Sequence, residues 1–337
     1  MFFPLNKVTA LLTLILGSFI TISSSSWLGV WLGMEVNLMG FIPLLLSSLS
    51  TKSMETGIKY FLVQAFASTF LIFYIMMAPM AICNMNNLPS GMILTMLMGI
   101  KMGAAPFHFW FPQIMEYLDW TNALILMTWQ KLSPFLVISY SSSKFMLILM
   151  AMSAIVGAFG GINQISMKMI MAYSSILHMG WILGLIFSNH MFWWFYYVIY
   201  SIIAVSVITP MITHSVVSVN NLVFLNNMGP MKNLYLMNFL SLAGVPPFLG
   251  FFLKLTAVIL FIKSGLVPFF FVMILLMASF AALYFYMRLS YTSFLTLGSN
   301  PLPLGNPMIN KMNLIYLTSM IISLVSIPLA PMILSFA

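Results

Sequence analysis

Residues 90–112 read SGMILTMLMGIKMGAAPFHFWFP, an apolar run long enough to cross a bilayer, with Lys101 and then Gly103-Ala104-Ala105-Pro106-Phe107 in its middle. About 20 mostly apolar residues make one spanning helix. A proline inside a helix removes a hydrogen bond and clashes with the preceding turn, so this run predicts a broken span. In lipid, such a break persists only beside protein or water. A second apolar run, 230–262, is too long for one straight span and carries Gly244-Val245-Pro246-Pro247-Phe248, followed by Lys254. The two G-x-x-P-F stretches lie 141 positions apart. Gly265-Leu266-Val267-Pro268-Phe269 also fits the pattern, but at a segment boundary. Mid-span placement, rather than the motif, is therefore the informative feature.

Working outward, eleven segments have the length and polarity of transmembrane helices, near 5–24, 26–49, 56–80, 90–112, 121–140, 145–163, 167–187, 191–217, 230–262, 266–295 and 312–335. The separators are Ser-, Asn- and Pro-rich. Shifting the chain by 141 residues lays the first five segments over the next five. Five helices per repeat reverses the topology, as in inverted-repeat transporters. The expected architecture is an all-α integral membrane protein, one membrane domain over 1–337. It holds a first inverted repeat at 5–140, a second at 145–295 and an extra C-terminal helix at 312–335.

Composition supports this class. Of the 337 residues, 62% are hydrophobic and only 5% charged, against about a quarter charged in a soluble domain. Twelve Lys+Arg against four Asp+Glu give a net charge of +8, but the basic residues are scattered singly rather than in a stripe, which speaks against nucleic acid. The one cysteine, Cys83, rules out an intrachain disulfide, a Cys-ligated iron–sulfur cluster and a multi-cysteine zinc site. No G-x-G-x-x-G or P-loop occurs. Met1-Phe2-Phe3-Pro4 runs straight into the first segment, with neither a transit peptide nor a small-residue cleavage site. The 33 Met, and one Arg (Arg288) against eleven Lys, fit an AT-rich organellar genome with an extra Met codon.

With eleven spans, Lys7, Lys52, Lys59, Lys168, Lys232, Arg288 and Lys311 fall on the N-terminal side of the membrane, and Lys144 and Lys263 on the other. The positive-inside rule then puts the N-terminus in the matrix-like compartment. Four charges are left inside spans: Glu35, Lys101, Lys131 and Lys254. At roughly 2.5–3.5 kcal/mol each, they cost on the order of 10 kcal/mol unless they face the bundle interior, water or one another. Snorkelling is the ordinary reading of a single lysine, and a structural ion pair that of Glu35. The other reading is a switchable proton relay, since a carboxylate holds a lysine's proton and a nearby cation loosens it. His178, mid-span in the seventh segment, is either a hydrogen-bonded core residue or a further relay member. The same alternatives apply to His108, with core packing favoured. No pair of facing histidines suggests haem or metal ligation. His190 and His214 lie near span ends, and Phe192 to Tyr197 reads as an interfacial aromatic belt. The methionines read as core filler. Glu55, Lys59, Glu116 and Asp119 read as solvated helix ends.

The stretches WLGVWLGMEVNLMGFIP, KMGAAPFHFWFP, MTWQKLSP, GGINQ, MAYSSILHMGW, NFLSLAGVPPFLGFF and YFYMRLSY together resemble the antiporter-like membrane subunits of mitochondrial NADH:ubiquinone oxidoreductase (complex I). The resemblance covers nearly the whole chain and thins around 76–90, 141–150, 188–228 and 296–312. It implies a coupled Glu35–Lys101 pair, a central Lys131, and a distal Lys254 on the second broken helix. It also implies proton translocation driven by NADH oxidation and ubiquinone reduction elsewhere. FMN, iron–sulfur clusters and ubiquinone would be held by other subunits, with no cofactor in this chain. The implied partners are antiporter-like neighbours, a small multi-span subunit and phospholipids such as cardiolipin. The implied location is the mitochondrial inner membrane, with the N-terminus in the matrix and the C-terminus in the intermembrane space. Two departures stand out: Leu253-Lys254-Leu255 replaces a common Pro-Lys-Trp, and Lys168-Met169 replaces a common basic pair.

Overall fold

The structure is a computed structural model that describes residues 5–295, apart from 48–49, 85–89, 142, 189–190, 215, 220–230 and 247. Over these residues the chain is helical. The helices are α1 (Leu5–Ser23), α2 (Trp27–Leu45), α3 (Thr51–Asn84), α4 (Ser90–Met102), α5 (Trp110–Tyr117), α6 (Trp120–Met127), α7 (Trp129–Ser139), α8 (Phe145–Ile162), α9 (Met167–Phe187), α10 (Phe192–His214), α11 (Met231–Ala243), α12 (Leu249–Ser264) and α13 (Phe269–Leu295). Six of them are long and apolar enough to cross a membrane. Each of the first ten expected segments holds one helix or two, while the eleventh, at 312–335, lies outside the described residues, as does Pro247.

Two compact units divide the chain, residues 1–153 and 154–337. In the first, α1 and α2 pack backbone to backbone. A Cβ on Gly17 would strike the backbone of Gly33 and Asn37, and one on Gly40 would strike that of Leu14. Small residues at these crossings supply the close packing that the hydrophobic effect cannot supply between helices in lipid. Ser26 caps α2 through Gly29 N at 3.2 Å. Ser50 and Ser53 cap the start of α3 reciprocally, each backbone N–H donating to the other's hydroxyl at 3.0 and 3.1 Å.

In the second unit, nearly every residue of α9 from Met167 to Ile186 is buried, against α10, α12 and α13. Gly157 on α8 leaves room for the backbone of Leu177. Arg288 on α13 donates to the carbonyls of Ile162 at 2.8 Å and Gln164 at 2.6 Å, closing the C-terminal end of α8 and the loop after it. That loop pairs with 216–219 through Met167 N to Val217 O and Val219 N to Ile165 O, both 3.0 Å.

Both expected breaks are present. α4 stops at Met102 and α5 starts at Trp110, while α11 stops at Ala243 and α12 starts at Leu249. Gly103 and Gly244 adopt φ of 72° and 83°, a region that costs other residues steric strain. The fifth segment, expected as one helix over 121–140, is instead two helices meeting at Thr128. Pro134 lies inside α7, six residues beyond this junction. The ladder tightens just before it, with Lys131 N bonding Thr128 O at 3.1 Å. The twelfth helix runs unbroken through Leu253-Lys254-Leu255.

Candidate functional site

In the first unit, Lys101 is the second-last residue of α4, and 7% of it is exposed. The break strips that helix end of intrahelical donors, and side chains of the first unit supply them. Gln64 Nε2 on α3 donates to Lys101 O at 3.1 Å, and Trp110 Nε1 on α5 donates to Ile100 O at 3.1 Å. Gly103 N also bonds Ile100 O, and Ala104 N bonds Gly99 O. With the backbone satisfied by neutral groups, the lysine side chain is left for other work.

Lys101 borders a small cleft lined also by Asn37, Tyr60, Gln64, Gln130 and Ser133. Six of its nine lining residues are polar, inside an otherwise apolar bundle, so it suits water. One wall is ordered by a directional chain: Tyr60 OH donates to Gln130 Oε1 at 3.2 Å, and Gln130 Nε2 donates to Asn37 Oδ1 at 3.1 Å. Glu35 lies on α2, half-buried, two residues before Asn37. Among the described residues it forms no direct ion pair with Lys101. Lys131, beside Gln130 at the start of α7, is 2% exposed. Its ammonium lies 4.6 Å from the centre of the Phe111 ring.

In the second unit, Lys254 sits one turn into α12 and reaches back over the break, donating to Ala243 O at 2.6 Å. Two glycines give it room. A Cβ on Gly244 would lie 2.9 Å from Lys254 Nζ, and one on Gly250 would run into Ser241 O. His178 is buried on α9, with Nδ1 3.0 Å from Tyr196 OH and its ring 4.8 Å from that of Tyr200. Lys101, Lys131 and Lys254 are all buried within the protein.

The model of the NADH:quinone oxidoreductase/Mrp antiporter transmembrane family matches residues 24–283. NADH-ubiquinone oxidoreductase chain 2 of Anopheles gambiae is 41% identical over 331 residues, 96% of each chain. The chain belongs to the NADH-ubiquinone oxidoreductase chain 2 family. A second relative of that name, from Locusta migratoria, is 38% identical over 91% of this chain and 90% of its own. The fold is similar to that of a chain in respiratory complex I from Thermus thermophilus, with a TM-score of 0.82 and 21% identity, over 95% of this chain and 77% of that one.

The remaining residues singled out in the sequence can be placed one by one. The run Phe192 to Tyr197, expected as an interfacial belt, is split by burial. Phe192, Trp193, Tyr196 and Tyr197 are buried, whereas Trp194 and Phe195 are exposed. Helical spacing divides the run between two faces of α10, and the buried face supplies the partner of His178. His108 is held by its own turn, Nδ1 lying 3.2 Å from Pro106 O, as a core histidine would be. His190 and the His214 side chain lie outside the described residues. Glu55 and Lys59 pair at 2.6 Å on an exposed surface, as expected of a helix end. Asn37, Gln64 and Gln130 went unnoticed in the sequence, although uncharged amides in the middle of apolar spans are themselves a signal. No cluster of three or more His, Cys, Asp and Glu is arranged to hold a metal ion among the described residues.

Proposed function

We propose that the chain is a proton-translocating subunit of the membrane arm of respiratory complex I, in the mitochondrial inner membrane. The carrying observation is Lys101. It sits at the end of a broken helix, beside a polar cleft, in the same compact unit as Glu35. A nearby carboxylate favours the protonated lysine, and weakening that attraction releases the proton. Redox energy from NADH oxidation and ubiquinone reduction changes the Glu35–Lys101 interaction. The proton then passes by way of cleft water to Lys131 and on to Lys254, with His178 as a further member. FMN, the iron–sulfur clusters and ubiquinone belong to other subunits.

Eleven spans in two inverted repeats, 5–140 and 145–295, with the extra helix at 312–335, complete this reading. In its support, the fourth helix of each set of five is broken next to a buried lysine. The N-terminus lies in the matrix and the C-terminus in the intermembrane space, following the lysine bias. The exposed apolar faces of α3 (Phe66, Phe70, Phe73) and α13 (Met273, Met277, Phe280) meet antiporter-like neighbours, a small multi-span subunit, and phospholipids such as cardiolipin.

Lys131→Met tests the relay, because it keeps bulk and apolarity while removing the titratable group. The expected result is near-normal abundance of the complex, with proton translocation lost and coupled NADH:quinone turnover reduced by about tenfold or more. A purely structural charge would behave differently. Losing one partner of a buried pair costs roughly 3–5 kcal/mol, so assembly itself would fail. Normal abundance, turnover and translocation together would remove Lys131 from the mechanism.

A further inference from the structure

Two adjacent aromatic residues at the start of α5 connect the first break to Lys131. Trp110 is tied backwards, donating through Nε1 to Ile100 O beside Lys101. Phe111, with no exposed surface, presents its ring 4.6 Å from the Lys131 ammonium. The two rings meet edge to face, with centroids 5.7 Å apart. Gly103, at the left-handed corner of the break, packs directly beneath them. A Cβ there would lie 3.0 Å from Phe111 Cβ and 3.3 Å from Trp110 Cζ2. Phe111 N is in turn held by His108 O at 2.9 Å. The conformation of the break therefore determines where the Phe111 ring sits. An aromatic face attracts a cation, and does so more strongly out of water. An aliphatic side chain of similar size fills the space without offering that attraction.

We propose that Phe111 is a positioning residue that seats the Lys131 ammonium and ties its placement to the geometry of the break after Lys101. Movement at the break shifts the ring, and the ring moves the lysine's seat. This rests on the relay reading for its functional consequence, though the contact itself does not.

The test compares Phe111→Leu, Phe111→Met and Phe111→Tyr, each alone and combined with Lys131→Met, in membranes carrying the whole complex. Turnover, proton translocation and the survival of assembled complex on heating are measured. Phe111→Leu and Phe111→Met lower translocation on the order of threefold to thirtyfold, whereas Phe111→Tyr, which keeps a ring, retains most of it. The heat sensitivity caused by Phe111→Leu shrinks once Lys131→Met has removed the ammonium, because contacting residues couple and independent ones add. If the Leu and Met variants assemble only in the Lys131→Met background, that too supports the proposal. It is overturned if the heat effects add, if Phe111→Tyr is as damaging as Phe111→Leu, or if the Leu and Met variants fail to assemble in either background. Loss of translocation in Lys131→Met but full translocation in Phe111→Leu overturns this inference alone. Normal translocation in Lys131→Met overturns the relay, while the heat measurements still report the Phe111–Lys131 contact.

Discussion

The two breaks share a glycine in the left-handed region and a nearby buried lysine, yet they use that lysine in opposite ways. At the first, the exposed carbonyls of α4 are met by neutral donors, Gln64 and Trp110, and the Lys101 side chain borders a polar cleft. At the second, the lysine is itself the donor: Lys254 satisfies Ala243, the last residue of α11. A helix end in lipid must find partners for its last carbonyls. Whether a neutral or a charged group supplies them decides what the lysine can do. Lys254 combines a structural role with whatever proton it carries, whereas Lys101 is relieved of the structural one.

The largest effect expected from this difference is at the second break. Gly250→Ala would drive a methyl into Ser241 O, where both sides of the collision are backbone. Neither α11 nor α12 can yield without moving the Lys254 bond. A cost of about 3 kcal/mol is expected, at the upper end for overpacking, with little assembled complex on a native gel. Wild-type abundance for this variant would mean that the two half-helices are not packed as described.

Next in size is Lys254→Met. Removing the ammonium strands a buried carbonyl that it had met at 2.6 Å, and losing a hydrogen bond to a charged group costs about 1.5–3 kcal/mol. Abundance and heat resistance should fall along with proton translocation. Lys101→Met should lose translocation with abundance nearly intact. Equal abundance for the two variants would erase the distinction between the breaks.

The sequence made much of this legible, because prolines and charges inside apolar runs are local signals. Pro106, Lys101, Lys131, Lys254 and Glu35 were visible from their positions alone. What was not legible is pairing. That Lys254 turns back to Ala243, that Gln64 meets Lys101 O, and that Tyr60, Gln130 and Asn37 form one chain all depend on which helices pack together and at what rotation. No spacing along one helix specifies this. Tyr196 was hidden for a related reason: an aromatic run looks uniform until the helix divides it between a buried and an exposed face.

The smallest effect, and the finest test of the comparison, is expected from Gln64→Leu. The substitution keeps the volume roughly constant and removes the donor that meets Lys101 O at 3.1 Å. A buried carbonyl left without a partner costs about 1–3 kcal/mol, but this one has a substitute. The small cleft is lined by both Gln64 and Lys101, so a water can approach the freed carbonyl and donate in place of the amide. The stability loss should therefore sit at the low end, about 1 kcal/mol, and heat resistance should fall less than in Lys254→Met. Turnover should fall further than stability does, because the water recruited to the carbonyl comes from the same cleft that serves the Lys101 side chain. Measuring heat resistance and NADH:quinone turnover on the same membranes separates the two effects. A stability loss matching that of Lys254→Met would show that Gln64 bears as much of the fold as the charged cap does, and the contrast between the breaks would collapse.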